Sequence, residues 1–176
     1  EKIMDDYDKA YNLKSVRLRY FNVAGADSQS RVGEWHEPET HLVPNILKST
    51  FGSGDSFKMF GDDYKTKDGT CVRDYINIED LANAHILALE YLLKGGDTNY
   101  FNLGTKEGNT VKEVFSACEK VTNKKIPVTI MPRREGDPAS LVADNTKAKR
   151  ILGWNPKKTL EDSIESAYVW EKKQAH

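Results

Sequence analysis

The feature that most constrains this chain is its repeated switching between two hydrophobic periods. From Ser15 to Tyr20, the apolar Val16, Leu18 and Tyr20 alternate with Arg17 and Arg19, the period of two that puts one face of a strand against a core. Just before it, Glu1 to Tyr11 carries Ile3, Met4, Tyr7, Ala10 and Tyr11 at helical spacing. No capping residue precedes that helix, so the chain is expected to start within it, as a fragment would. The switching continues downstream. The sequence predicts a helix over His41–Phe51, a strand over Ser56–Phe60, a polar hairpin-like excursion over Gly61–Thr70 and a strand over Cys71–Ile78. Asp80 is expected to cap an apolar helix, Leu81–Lys94, closed by Gly95-Gly96, with a strand at Asn99–Leu103 directly behind it. Thr110-x-x-Glu113 reads as a capping box opening a helix to about Thr122, followed by a strand at Ile126–Met131. Thr146 is expected to cap a brief helix ended by Gly153, and Thr159-x-x-Asp162 to open a terminal one. Such alternation implies an α/β fold. Asn22–Thr40, rich in Gly, Ser, Asp and Glu, reads as one long loop, and loops of that length in compact proteins are usually functional.

Composition narrows the partners. The 26 basic and 27 acidic residues are interspersed and leave a net charge of −1, which implies neither a nucleic-acid nor an acidic-membrane partner. No apolar run approaches the length of a membrane span and no signal pattern opens the chain, so a cytoplasmic protein is expected. Cys71 and Cys118 are too few for a disulfide framework and are expected to be reduced thiols.

Two arginine motifs carry the most specific chemistry, because the planar guanidinium fork matches phosphate oxygens and stays charged at any working pH. They are Cys71-Val72-Arg73-Asp74-Tyr75 and Pro132-Arg133-Arg134-Glu135-Gly136-Asp137-Pro138. Taken alone, Arg73 is as well read as a buried partner of Asp74 or Glu79, and Arg133-Arg134 as an ordinary solvated charge cluster. His36 and His41 with Glu34, Glu37 and Glu39 match no standard zinc spacing and are expected to form a solvated loop, with no metal. Asp62, Asp63 and Asp68 do not follow the order of a calcium loop, and His85, within an apolar helix, reads as a satisfied core or surface residue.

The sequence around these motifs resembles one family. Arg19-Tyr20-Phe21-Asn22-Val23-Ala24-Gly25 is similar to the R-Y-F-N-x-x-G segment of extended short-chain dehydrogenase/reductases acting on nucleotide sugars. The run from Met59 to Ile76, with its long D-Y-x-T-x-D-G-T insertion ahead of Arg73, resembles the UDP-glucose 4-epimerases (UDP-galactose 4-epimerases) among them. Asn102-Leu103-Gly104 and the Pro132–Asp137 motif complete a likeness running from Glu1 to about Tyr168.

That resemblance implies roles. Asn22 would contact the diphosphate or sugar, Leu42 would give the nucleotide a backbone contact, and Met59 and Phe60 would present backbone groups to uracil. Arg73 and Arg134 would clamp the diphosphate, Asp137 would accept from the ribose, and Tyr75 would pack beside the nucleotide. Phe21 would lie against the nicotinamide of NAD; core packing is the competing reading for the side chains of Phe21, Met59 and Phe60. His41 stands where many members have asparagine but can still donate to phosphate, Val23 replaces a common proline, and Leu141 occupies a variable position near the sugar.

The fold so implied is the last strands and helices of a Rossmann-like parallel sheet, from 1–25 and about 77–104, plus a smaller mixed α/β substrate-binding domain from about 26–76 and 105–176. No G-x-x-G-x-x-G follows a strand here, and the family's catalytic tyrosine/lysine relay is expected upstream of Glu1. The chain is therefore expected to hold no catalytic residue and to be inactive alone. The implied function is the UDP-sugar-binding part of an NAD-dependent, homodimeric epimerase interconverting UDP-glucose and UDP-galactose. The competing readings are a non-catalytic UDP-sugar-binding module and another epimerase or decarboxylase of the superfamily.

Overall fold

The computed structural model describes residues 1–51 and 56–174. Helix α1 (Lys2–Tyr11) turns at the left-handed Asn12 into β1 (Val16–Tyr20), and β2 (Asn22–Ala24) follows one residue later. The chain continues through α2 (Leu42–Lys48), β3 (Phe57–Phe60), β4 (Val72–Asn77), α3 (Ile78–Leu93) and β5 (Asn99–Leu103). It then forms β6 (Gly108–Thr110), α4 (Val111–Thr122), β7 (Val128–Met131), β8 (Ser140–Leu141), α5 (Thr146–Leu152) and α6 (Leu160–Gln174). Pairing is parallel for β1 with β5, β2 with β4, β3 with β7 and β8 with β4, while β6 runs antiparallel to β4. This is the mixed α/β architecture the alternating periods demand. No helix of the described residues is long and apolar enough to cross a membrane.

Two hydrophobic clusters organise these elements. One gathers Ile76, Leu81, Ala84, Phe101, Leu103 and Trp154 around β5 and α3. The other gathers Ile46, Leu47, Met59, Val114, Cys118 and Ile164 from α2, β3, α4 and α6. Strand β4 is the wall between them: Tyr75 packs into the second cluster and Ile76 into the first, as the period of two requires. Helix α5 packs with the first cluster through Ala148 and Leu152.

Four local expectations change. Asn22–Ala24 is not loop but strand, because its backbone pairs with Tyr75–Asn77 of β4; three residues are too few to show an alternation. The short β6 and β8 escaped for the same reason. The cap of α3 is Asn77, whose side chain accepts from the Glu79 amide at 2.8 Å, and not Asp80. Asp80 instead accepts from the amides of Lys157 and Lys158, both at 2.9 Å, tying the approach of α6 to the start of α3. At α5 the cap position is Asn145, and Thr146 directs its amide and hydroxyl to Asp144.

The excursion before β4 contains no strand among its residues but is held firmly. The Asp68 carboxylate accepts from the Thr70 amide at 2.9 Å, the Thr70 hydroxyl at 2.7 Å and the Thr110 hydroxyl. Burial pushes the Asp68 carboxyl pKa upward, yet these hydrogen bonds prevail and hold it below the usual range. Gly69, at φ 85°, is required here: a Cβ would stand 2.0 Å from the carbonyl oxygen of Asp62.

Candidate functional site

A cleft of about 560 Å³ opens between the start of α2, the outer face of β3, β4 and the loop 132–138. It brings together Asn22, His41, Leu42 and Phe60 with Arg73, Tyr75, Arg134 and Asp137. Strand pairing explains part of this convergence: Asn22 of β2 is the direct register partner of Tyr75 in β4, and Arg73 lies one pleat along the same face.

Arg73 is buried, and its guanidinium is held from one side. Nη1 donates to the carbonyls of Val72 at 2.7 Å and Pro138 at 2.9 Å, and Nη2 to Asp137 Oδ1 at 2.5 Å. Neither Asp74 nor Glu79 is its partner. Three of the five N–H donors of an arginine are thereby committed, leaving Nε and one Nη2 hydrogen for a ligand. Asp137 reaches the cleft as a partner of Arg73. Asp74, on the opposite face of β4, accepts from Thr105 N at 2.7 Å, Thr105 Oγ1 at 2.8 Å, Lys106 N at 3.2 Å and Ala143 N at 3.1 Å, which braces the strand from behind.

The two adjacent arginines of the second motif diverge. Arg133 pairs with Asp63 at 2.5 Å and stacks over Tyr64, its Cζ 4.3 Å from the ring centroid. The Arg133 guanidinium holds the Asp63 carboxyl below the usual carboxylate range. Arg134 stacks over Phe60 at 4.2 Å and makes no ion pair among the described residues, so it pairs with neither Glu135 nor Asp137. A solvated charge cluster describes Arg133; Arg134, without an ion pair among the described residues, carries its charge into the cleft.

Phe60 and Lys58 share the outer face of β3, while Phe57 and Met59 face inward. Met59 therefore packs its side chain in the core and does not line the cleft, whereas Phe60 does line it. Burial pushes the Tyr75 hydroxyl pKa well above its ordinary value and the Cys118 thiol up to about 12, with Cys71 raised as well; both thiols are free and buried. Lys48 and Lys58 also line the cleft and were missed by motif reading. The alternation Phe57-Lys58-Met59-Phe60 was the available signal for Lys58.

Phe21 lies in a second, more apolar cleft of about 900 Å³, beside Val23, Leu81, His85 and Leu141. Asn22 and His41 border both clefts. His85 Nδ1 is 2.9 Å from the carbonyl oxygen of Leu81, so it is satisfied within its helix. Spacing alone would allow Tyr168 and Lys172 as a Y-x-x-x-K relay, but Tyr168 stacks on Phe51 at 5.6 Å and neither residue lines either cleft. The acidic run Asp62, Asp63, Asp68 is dispersed, with Asp63 on Arg133 and Asp68 on Thr70 and Thr110. The loop before α2 is more organised than a solvated loop, since ligand atoms of Glu34, His36, Glu39 and His41 all lie within 4.8 Å of one another.

The GDP-mannose 4,6 dehydratase family profile matches residues 1–167. A UDP-glucose 4-epimerase from Rhizobium leguminosarum bv. trifolii is 54% identical over 173 residues, covering 98% of this chain and 53% of that protein. A crystal structure of UDP-glucose 4-epimerase superposes with a TM-score of 0.95 at 49% identity, over 98% of this chain and 53% of the other. The UDP-glucose 4-epimerase from Bifidobacterium longum, solved in complex with NAD+ and UDP, superposes with a TM-score of 0.89 at 37% identity, over 96% of this chain and 50% of the other. The chain spans about half the length of the curated relatives it matches. With the profile running over nearly all of its residues, the chain belongs to the GDP-mannose 4,6 dehydratase family.

Proposed function

We propose that this chain is the UDP-sugar-gripping part of an NAD-dependent UDP-glucose 4-epimerase, and that it has no epimerase activity alone. The observation that carries the reading is the pair of arginines in one cleft. Arg134 is free of ion pairs among the described residues, and Arg73 keeps two donors unspent. Two guanidinium groups facing one cleft suit a diphosphate, whose charge and planar edges arginine matches better than lysine does.

In this reading Arg73 and Arg134 hold the diphosphate. Asp137, positioned by Arg73, offers its other oxygen to a ribose hydroxyl, and the outer backbone edge beside Phe60 meets the base. Asn22 and His41, which border both clefts, are the polar groups nearest the passage between nucleotide and sugar. The hexose meets few polar partners, as a sugar that must turn between oxidation and reduction requires, and binding energy comes from the remote nucleotide. The apolar cleft at Phe21, Val23 and Leu81 fits the flat face of a nicotinamide, and NAD when bound there supplies reversible hydride acceptance at C4 of the hexose. The rest of the NAD site, and the tyrosine/lysine pair, would belong to an upstream half. We also assign residues 1–25 and 77–104 to a Rossmann-like unit and the remainder to a substrate-binding unit, in a cytoplasmic homodimer.

Calorimetric titration of the chain tests the grip. UDP, UDP-glucose and UDP-galactose should bind with similar affinity, and free galactose should not bind. Affinity that depends on the hexose, or an absence of UDP binding by folded protein, would sink the reading.

A further inference from the structure

The loop between β2 and α2 carries chemistry that the diphosphate grip does not use. Glu34 Oε1 lies 2.6 Å from His41 Nδ1 and 3.1 Å from His36 Nδ1. Glu39 reaches the same two nitrogens, Oε1 at 3.3 Å from His41 and Oε2 at 3.8 Å from His36. A tetrahedral ion with bonds of about 2.0–2.1 Å has ligand-to-ligand edges of roughly 3.4 Å, and these spacings straddle that length. The four donors are thus already gathered at the size of a small coordination shell.

A second observation points inward. The Glu39 side chain is only 5% exposed, and its Oε2 is buried without a hydrogen-bond partner, while Oε1 accepts from the amides of Thr40 and His41. The nearest cation, Lys48 Nζ, stands 3.8 Å from Oε2, too far for a hydrogen bond. Glu171, also buried, adds a third carboxylate whose field reaches Glu34 and Glu39. The backbone around the cluster is anchored at both carboxylate positions: Trp170 Nε1 donates to the Glu34 carbonyl at 2.9 Å and Asn45 Nδ2 to the Glu39 carbonyl at 3.3 Å.

We propose that Glu34, His36, Glu39 and His41 form a binding site for a divalent transition cation of the zinc type. Two imidazoles with two carboxylates suit zinc, whereas calcium and magnesium prefer oxygen donors alone. Each imidazole presents Nδ1 to the ion and carries its proton on Nε2, and both rings are half exposed, so water can accept from that nitrogen. The ion fastens the 34–41 loop at His41, the residue directly before α2, at the mouth of the cleft. Because Glu34, His36 and His41 also border the second cleft, zinc uptake is read on the chain without nucleotide or NAD.

Zinc chloride titrated calorimetrically into chelator-stripped chain reads the site directly. Wild type should take up one ion per chain, and His36→Gln and Glu39→Gln should each weaken binding by about 100-fold, the upper end of what even outer-shell losses cause. His85→Gln, which changes a histidine outside the cluster, should bind as wild type does. Circular dichroism confirms the fold of each variant; the half-exposed His36 sits in a loop and makes that variant a safe one. No saturable uptake by wild type, His36→Gln binding as wild type does, or loss of binding in His85→Gln would each overturn the site.

Discussion

Arg134→Ala separates a ligand contact from a structural one, because the same residue predicts very different losses in two assays. In the free chain its only charge contact among the described residues is the stack on Phe60, 4.2 Å from the ring centroid, at an exposed position. A cation–π contact of that kind contributes about 0.5–1 kcal/mol, so the variant should lose no more than this in urea unfolding. A charge-assisted contact to diphosphate contributes about 1.5–3 kcal/mol, which corresponds to a roughly 10- to 150-fold rise in the dissociation constant for UDP. Arg134→Lys should recover part of that loss, since it restores a point charge but not the planar fork. Raising salt should narrow the gap between wild type and Arg134→Ala, as screening weakens an exposed charge. Calorimetric titration of UDP into the three proteins gives the affinities, and urea unfolding gives the stabilities. Equal UDP dissociation constants, with a stability loss, would assign Arg134 to packing and refute the clamp.

Asp74→Ala should destabilise the chain by about 3–5 kcal/mol in urea unfolding, because it strands the amides of Thr105, Lys106 and Ala143 that share one buried carboxylate; a loss below 1 kcal/mol would show that water replaces it freely. Gly69→Ala should lower the melting temperature sharply, since both its φ of 85° and a 2.0 Å approach to the Asp62 carbonyl oppose a Cβ; an unchanged melting temperature would contradict this account of the excursion. Glu171→Gln addresses pH. Burial raises the Glu171 carboxyl pKa, so the folded state binds the proton more tightly and stability drains away as pH rises from the ordinary carboxylate range through the raised value. In the presence of chelator, the variant should therefore gain more stability over wild type at pH 7.5 than at pH 4, and an equal gain at both would refute the burial argument. Cys118, with its thiol pushed up to about 12 and fully buried, should resist iodoacetamide at pH 8 in the folded chain and react in urea.

The sequence was most legible where periodicity or capping chemistry is strong. The alternation at Val16–Tyr20, the capping box at Thr110–Glu113 and the apolar face of α3 all appear close to their expected positions. What escaped was short. Strands β2, β6 and β8 exist because β4 offers them its backbone, a tertiary fact that three residues cannot announce. Of the candidate site, eight of the nine expected substrate residues border one cleft, and Met59 alone turns inward. Pairings were less legible than positions. Nothing in the motif Pro132–Pro138 reveals that Asp137 reaches Arg73, or that Arg133 and Arg134 part company over two different rings. The cluster at 34–41 was invisible to spacing rules because those assume a regular element, and here a folded loop does the gathering.

The two faces of β4 make that strand unusually intolerant of change in length. Arg73 and Tyr75 look into the cleft, while Asp74 and Ile76 look the other way. Shifting the strand by one residue would exchange them, aiming a carboxylate into the cleft where Arg73 now points and driving a guanidinium into a nest of amides that now holds an anion. Three partner strands guard against such a slip, and the ten-residue excursion ahead of them lies outside the paired region. Relatives should therefore vary freely in the length of that excursion and scarcely at all within β4, where a single inserted codon would reverse the polarity of the binding surface without altering its composition.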